Sequence, residues 1–177
     1  PKVIPNNQKA KAAIETAILK AVTRVKIVLS DYDSPGISDL QPFSGLAELK
    51  ELELPQHQIN DLKPLIGLEK LEILLLWKNQ ITNIEPLARL TRLEKLSLHR
   101  NQITDLKPLT GLEKLESLSL WNNQITNIEP LAKLTRLKRL WLGGNQIKDL
   151  KPRTRLTRLN NLSLRHNKFK DLKPLAG

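Results

Sequence analysis

Leucines at the first, fourth and sixth positions of a short segment recur every 22 residues along this chain. The first of them falls at Leu49, Leu71, Leu93, Leu115, Leu137 and Leu159, and Leu118 with Leu120 completes the set in the unit that starts at Leu115. Two leucines separated by one residue point to the same side of a strand, so each unit opens with a short strand that has one apolar and one open side. An asparagine follows at Asn79, Asn101, Asn123, Asn145 and Asn167, with His57 in its place in the first unit. Asparagine tolerates tight backbone and bonds neighbouring main chain, which predicts a turn leaving each strand. Ile59, Ile81, Ile103, Ile125, Ile147 and Phe169 then turn back toward the core, followed by a Pro-Leu pair such as Pro64-Leu65 or Pro130-Leu131 and a last leucine such as Leu68 or Leu134.

One such unit cannot bury its own apolar face, so the core has to come from stacking. The proline, with few residues left before the next strand, predicts an extended or 3₁₀ back segment in place of a long helix. The NQI-x-D/N-I/L-x-PL pattern resembles the leucine-rich repeats of the internalin family over about residues 37–177. The resemblance implies an α/β fold: a right-handed leucine-rich-repeat solenoid, or horseshoe, with a parallel sheet on its concave face and short 3₁₀ or extended convex segments. It also implies a non-enzymatic role in binding other proteins, and a secreted or surface-displayed bacterial protein.

Residues 1–36 are expected to form a helical N-terminal cap with the first strand. Asn6 or Asn7 caps a helix reaching about Val22, whose stripe Ala10, Ile14, Ala17, Ile18 and Ala21 has helical spacing. Such a stripe suits the open end of a solenoid, which needs a cover. Val25, Ile27 and Leu29 read as that strand, and Asp31 to Gly36 as a loop. Residues 37–177 form the array, beginning with a partial unit that places Leu40, Pro42, Phe43 and Leu46 in the back-segment slots. The sheet is therefore expected to hold seven parallel strands. The last unit stops at Gly177 before its final leucine, which predicts a longer native chain. The fifth unit has Arg153 where a core leucine belongs, so either its stem packs while the guanidinium reaches out, or the segment is remodelled.

Charge changes the picture at one end. Of a net +11, residues 1–132 contribute 16 basic and 16 acidic side chains, whereas 133–177 contribute 13 and 2. That asymmetry raises a second reading, binding of a polyanion such as nucleic acid or an anionic surface through Arg153, Arg155, Arg158, Arg165 and Lys168. No nucleic-acid motif supports it. Elsewhere charges are balanced: Lys63, Glu85, Lys107, Glu129 and Lys151 alternate in sign in one slot, and the row Glu72, Glu94 and Glu116 is preceded two residues earlier by Lys70, Arg92 and Lys114. The chain has no cysteine, no metal-ligand cluster, no nucleophile constellation and no apolar run near the roughly 18 residues of a membrane span. His99 and His166, three units apart, are too distant to share a metal. No catalytic residue, metal or cofactor is expected.

The slots that alternate with the leucines face the concave side, and all three tryptophans occupy them. Trp77, His99 and Trp121 share one slot in consecutive units, an expected aromatic column with a spacing of about 5 Å. Trp141 lies diagonal to Trp121, with small Ser119 and Gly143 leaving both indoles open. Ile73 and Leu75 extend the apolar area, and Lys95, Arg100, Arg139 and Arg165 form a basic rim. Tryptophan beside arginine is the composition of interface hot spots. These residues therefore point to a monomer that docks another protein on its concave face. The other readings are rings that merely pack on one another to stiffen the sheet, and an engineered scaffold, given how closely the paired units agree.

Overall fold

The computed structural model describes residues 23–27, 36–171 and 173–175. Seven three-residue strands, β1 Arg24–Lys26, β2 Glu51–Glu53, β3 Ile73–Leu75, β4 Lys95–Ser97, β5 Ser117–Ser119, β6 Arg139–Trp141 and β7 Asn161–Ser163, pair in chain order into one parallel sheet. The register from β2 onward advances by one whole unit per strand, so Leu52, Leu74, Leu96, Leu118, Leu140 and Leu162 form a single column. The parallel stack is the expected repeat solenoid. The first strand is shorter than expected, with Val25 buried and Ile27 packed just past its end. Leu29, most of the loop and the predicted helical cap lie outside the described residues.

Stacked leucines and isoleucines make one continuous core, in which Leu49, Leu71, Leu93, Leu115 and Leu137 are wholly buried. The asparagine of each unit ties three backbones together. Asn101 Nδ2–H donates to the carbonyls of Leu76 at 3.1 Å and Leu98 at 2.9 Å, while Oδ1 accepts from the Ile81 N–H at 3.0 Å. An amide side chain carries donors and an acceptor at once, which is why it can satisfy buried main chain on two neighbouring turns. In the first unit His57 substitutes: Nδ1 accepts from the Ile37 N–H at 3.2 Å, which leaves Nε2 to donate to the Ile27 carbonyl at 3.2 Å. Burial pushes the His57 pKa down, which favours the neutral ring that this pair of hydrogen bonds requires.

The back segments are short 3₁₀ turns, Lys63–Leu65, Glu85–Arg89, Lys107–Leu109, Glu129–Lys133 and Lys151–Arg155 among them, each with its proline in the first turn. Their length follows a single residue. Where Gly67 or Gly111 stands two past the Pro-Leu pair the turn stops after three residues, and where Arg89, Lys133 or Arg155 stands there it runs to five. Glycine disfavours helical backbone through its entropy, which accounts for the difference. The Asp or Asn column does more than space charge: Asp61, Asn83, Asp105, Asn127 and Asp149 each accept the backbone N–H two residues on, at 2.8 to 3.0 Å.

Two charge expectations change. Among the described residues the Lys63 to Lys151 column closes no ion pair within itself, and Glu129 instead reaches Arg155 at 3.8 Å. Two of the three glutamates in the row pair with cations other than the ones two residues before them: Glu72 with Lys50 at 3.4 Å, and Glu116 with Lys138 at 2.8 Å and Arg136 at 3.8 Å. These exposed pairs contribute little to stability. At Arg153 the 3₁₀ turn persists, so the segment is not remodelled. The guanidinium donates through Nη1 to the Pro174 carbonyl at 3.1 Å, and its buried Nε has no partner among the described residues.

Candidate functional site: the concave aromatic column

Strand geometry sets three rows on the open side of the sheet. The row at the start of each strand reads Glu51, Ile73, Lys95, Ser117, Arg139 and Asn161, and the row at the strand ends reads Glu53, Leu75, Ser97, Ser119, Trp141 and Ser163. Two residues past each strand lies the third row, with Trp77, His99, Trp121, Gly143 and Arg165. Ile73, Leu75, Trp77, His99, Trp121 and Trp141 are all half-buried, whereas Leu74 and Leu76 between them are wholly buried.

The Trp77 and His99 rings lie 5.3 Å apart and 6° from parallel, and those of His99 and Trp121 lie 4.6 Å apart at 14°. The imidazole is thus sandwiched by two indoles. Its Nδ1 is hydrogen-bonded with the hydroxyls of Ser97 at 2.9 Å and Ser119 at 3.2 Å. Burial, with the Arg100 charge adding to it, lowers the His99 pKa to about 4, so the ring is neutral near neutral pH and stacks without a charge to desolvate. Arg100 sits in the left-handed region at φ 55°, and its guanidinium lies 4.8 Å from the Trp121 ring centre, a cation–π contact.

Two hollows open beside this column. One of about 350 Å³ is lined by Lys95, His99, Trp121, Arg139 and Trp141 with a floor of Ser97, Ser117 and Ser119. The second, about 420 Å³, lies on the other side of the indoles, against Gly143, Gly144, Arg165 and His166. Trp121 and Trp141 border both. The structure therefore brings together Lys95, His99, Trp121, Arg139, Trp141 and, beyond them, Arg165. Ile73 and Leu75 border neither hollow, and Trp77 reaches this group only through His99. The hydrogen bonds of Ser97 and Ser119 to His99, and the places of Asn122 and His166 at the second hollow, were not anticipated from the sequence, which named Ser119 only for its small size and His166 only as a metal candidate set aside. Their slots were visible, but small polar residues carry no signal until a ring is seen to lie against them.

Acidic and basic groups divide this face. On β2, Glu51 pairs with Arg24, and Glu53 with Lys26 at 2.8 Å; the Lys26 hydrogen bond is the chief reason the Glu53 pKa is lowered. From β4 to β7 the three rows hold Lys95, Arg139 and Arg165 and no carboxylate. No group of residues that could hold a metal occurs among the described residues, and none of the described helices is long and apolar enough to cross a membrane.

Comparison with known proteins agrees with this architecture. The family model for leucine-rich repeats matches residues 69–111, 113–153 and 135–177. An internalin, inlF, from Listeria monocytogenes superimposes with a TM-score of 0.85 at 34% identity over 92% of this chain. Internalin C2 from the same species gives 0.81 at 29% identity over 95%. A leucine-rich-repeat protein of Leptospira interrogans gives 0.77 at 28% over 87%. The chain spans 46%, 88% and 40% of those three structures respectively. No curated protein sequence matches it. Members of this family are typically binding proteins without enzymatic activity, and the relatives suggest a protein-interaction module. With its repeat matched by the family model and its solenoid superimposed on internalins, the chain belongs to the leucine-rich-repeat family and is of the internalin type.

Proposed function

We propose that the protein binds a folded partner protein on its concave face, with Trp77, Trp121 and Trp141 as anchors, Ile73 and Leu75 as flanking apolar surface and Lys95, His99, Arg100, Arg139 and Arg165 around them. The observation that carries this reading is the pair of hollows bordered by Trp121 and Trp141. Indoles held by stacking and backbone, yet open on one side, lose little conformational freedom when covered. Each buried anchor of this kind contributes about 2 kcal/mol or more.

The decisive experiment is capture of a partner by the wild-type array and by a variant with all three tryptophans replaced by alanine. Unchanged circular dichroism with lost capture is expected, and equal capture by both overturns the reading. The polyanion reading gains less support. Its residues are spread over the molecule, with Arg153 and Arg155 in a convex turn and Arg165 on the concave side, while Lys168 donates to Gln146 at 3.1 Å. A phosphate backbone would need them along one stripe.

A further inference from the structure

The hollow between β4 and β6 has a chemistry more specific than an apolar patch. At one end Lys95, Ser117 and Arg139 stand side by side in the first row on three adjacent strands. At the other end Trp141, Trp121 and His99 supply aromatic surface, and all six border the same space of about 350 Å³. Trp121 and Trp141 make no stacking contact with each other; the stacked pairs among the described residues are Trp77 with His99 and His99 with Trp121. Trp121 already carries the stacked His99 ring and has the Arg100 guanidinium 4.8 Å from its centre, whereas Trp141 enters no stacked pair among the described residues and is the ring left for a third to lie against.

Among the described residues the cations at the basic end lack a carboxylate of their own. Glu53, whose pKa Lys95 helps to lower, is held by Lys26, and Glu116, which Arg139 helps to lower, is paired with Lys138 and Arg136. Covering Lys95 and Arg139 with a neutral partner would strip water from two charges and return nothing. An anion placed over Ser117 would meet an ammonium, a guanidinium and a hydroxyl from three sides, which matches the three free oxygens of a phosphate or sulfate ester. Successive rows are separated by roughly 6.6 Å along the strand, which is the reach of a ring carrying such a group in the para position.

We propose that this hollow is a subsite for a tyrosine of the partner protein that carries a sulfate or phosphate ester, with the ring against Trp141, beside Trp121, and the ester between Lys95 and Arg139. The proposal rests on the concave-face reading and adds the chemistry of one contact. It is tested with the intact chain by following the three indole N–H resonances during titration with N-acetyl-O-sulfotyrosine amide, its O-phospho counterpart, N-acetyltyrosine amide and sodium sulfate. Expected are saturable shifts of the Trp121 and Trp141 signals, with the unesterified amide and sodium sulfate each weaker by about tenfold or more. Replacing Lys95 and Arg139 by serine, the residue already between them, should weaken the ester by a similar factor with circular dichroism unchanged. Equal binding of the ester and the plain amide, equal binding of sodium sulfate, indifference to K95S/R139S, or no shift with any probe would each overturn the subsite. Partner capture that depends on the tryptophans but not on Lys95 and Arg139 would overturn it while leaving the concave-face reading intact.

Discussion

The imidazole of His99 lies 4.6 Å from the Trp121 ring and within 14° of parallel to it, and Trp77 closes the opposite side at 5.3 Å. This sandwich holds His99 half-buried, and its pKa falls to about 4 from the ordinary 6.5. Trp121→Ala opens one face of the ring, so the His99 pKa should rise toward 6.5, moderated by Arg100, which disfavours the charged form. An NMR titration of the imidazole protons checks this, and an unchanged pKa would show that the stack is not what buries the ring.

The pKa of His57 is also lowered by burial, with a consequence for stability. Because the folded value lies below 6.5, the unfolded chain takes up the proton first as pH falls, so stability is complete above about 6.5 and is lost as pH drops through the folded value. His99 has the same sign, with its loss extending down to about 4. His57→Asn, which installs the residue of the other units, should keep the Ile37 hydrogen bond and remove part of this acid sensitivity. Urea midpoints at about pH 7 and about pH 5 measure it, and the variant should lose less between them.

Asn123→Ala should be among the costlier single substitutions in the array. It leaves the Ile103 N–H buried without a partner and removes one of two donors from the carbonyls of Leu98 and Leu120, which keep Asn101 and Asn145 respectively. An orphaned buried N–H of this kind costs about 1–3 kcal/mol. Denaturant unfolding should show a lowered midpoint, whereas Thr126→Ala on the exposed surface of the same unit should leave it nearly unchanged.

Arg153→Leu is expected to stabilise. The guanidinium keeps one bond to Pro174, but its Nε is buried with no partner among the described residues. Leucine fills the equivalent position in neighbouring units, where Leu109 and Leu131 are buried. Removing an unsatisfied buried group and restoring apolar contact should raise the unfolding free energy by about 1–2 kcal/mol. A lower midpoint would mean that the Pro174 bond matters more than the orphaned nitrogen.

Much of the scaffold was legible in the residues. Leucine spacing located the strands, since alternation along extended backbone is a local property, and the Pro-Leu pairs located the convex turns for the same reason. Gly67, two residues past Leu65, even set the length of its turn, although this became visible only once the turns were seen. The charge partners were not legible: Lys114 precedes Glu116 in sequence, yet Glu116 pairs with Arg136 at the end of its own unit and Lys138 at the start of the next.

The sequence by itself determined which side each residue faces, and so placed Trp77, Trp121 and Trp141 on one surface and the leucines on the other. Only the tertiary structure decided that His99 is clamped and kept neutral, that Trp121 and Trp141 stay open beside two hollows, and that Lys95 and Arg139 have no carboxylate partner among the described residues. The direction of a side chain follows from backbone period within one unit. Which ends meet depends on rotamers and on the stagger of separate units, and these are set only when the units pack.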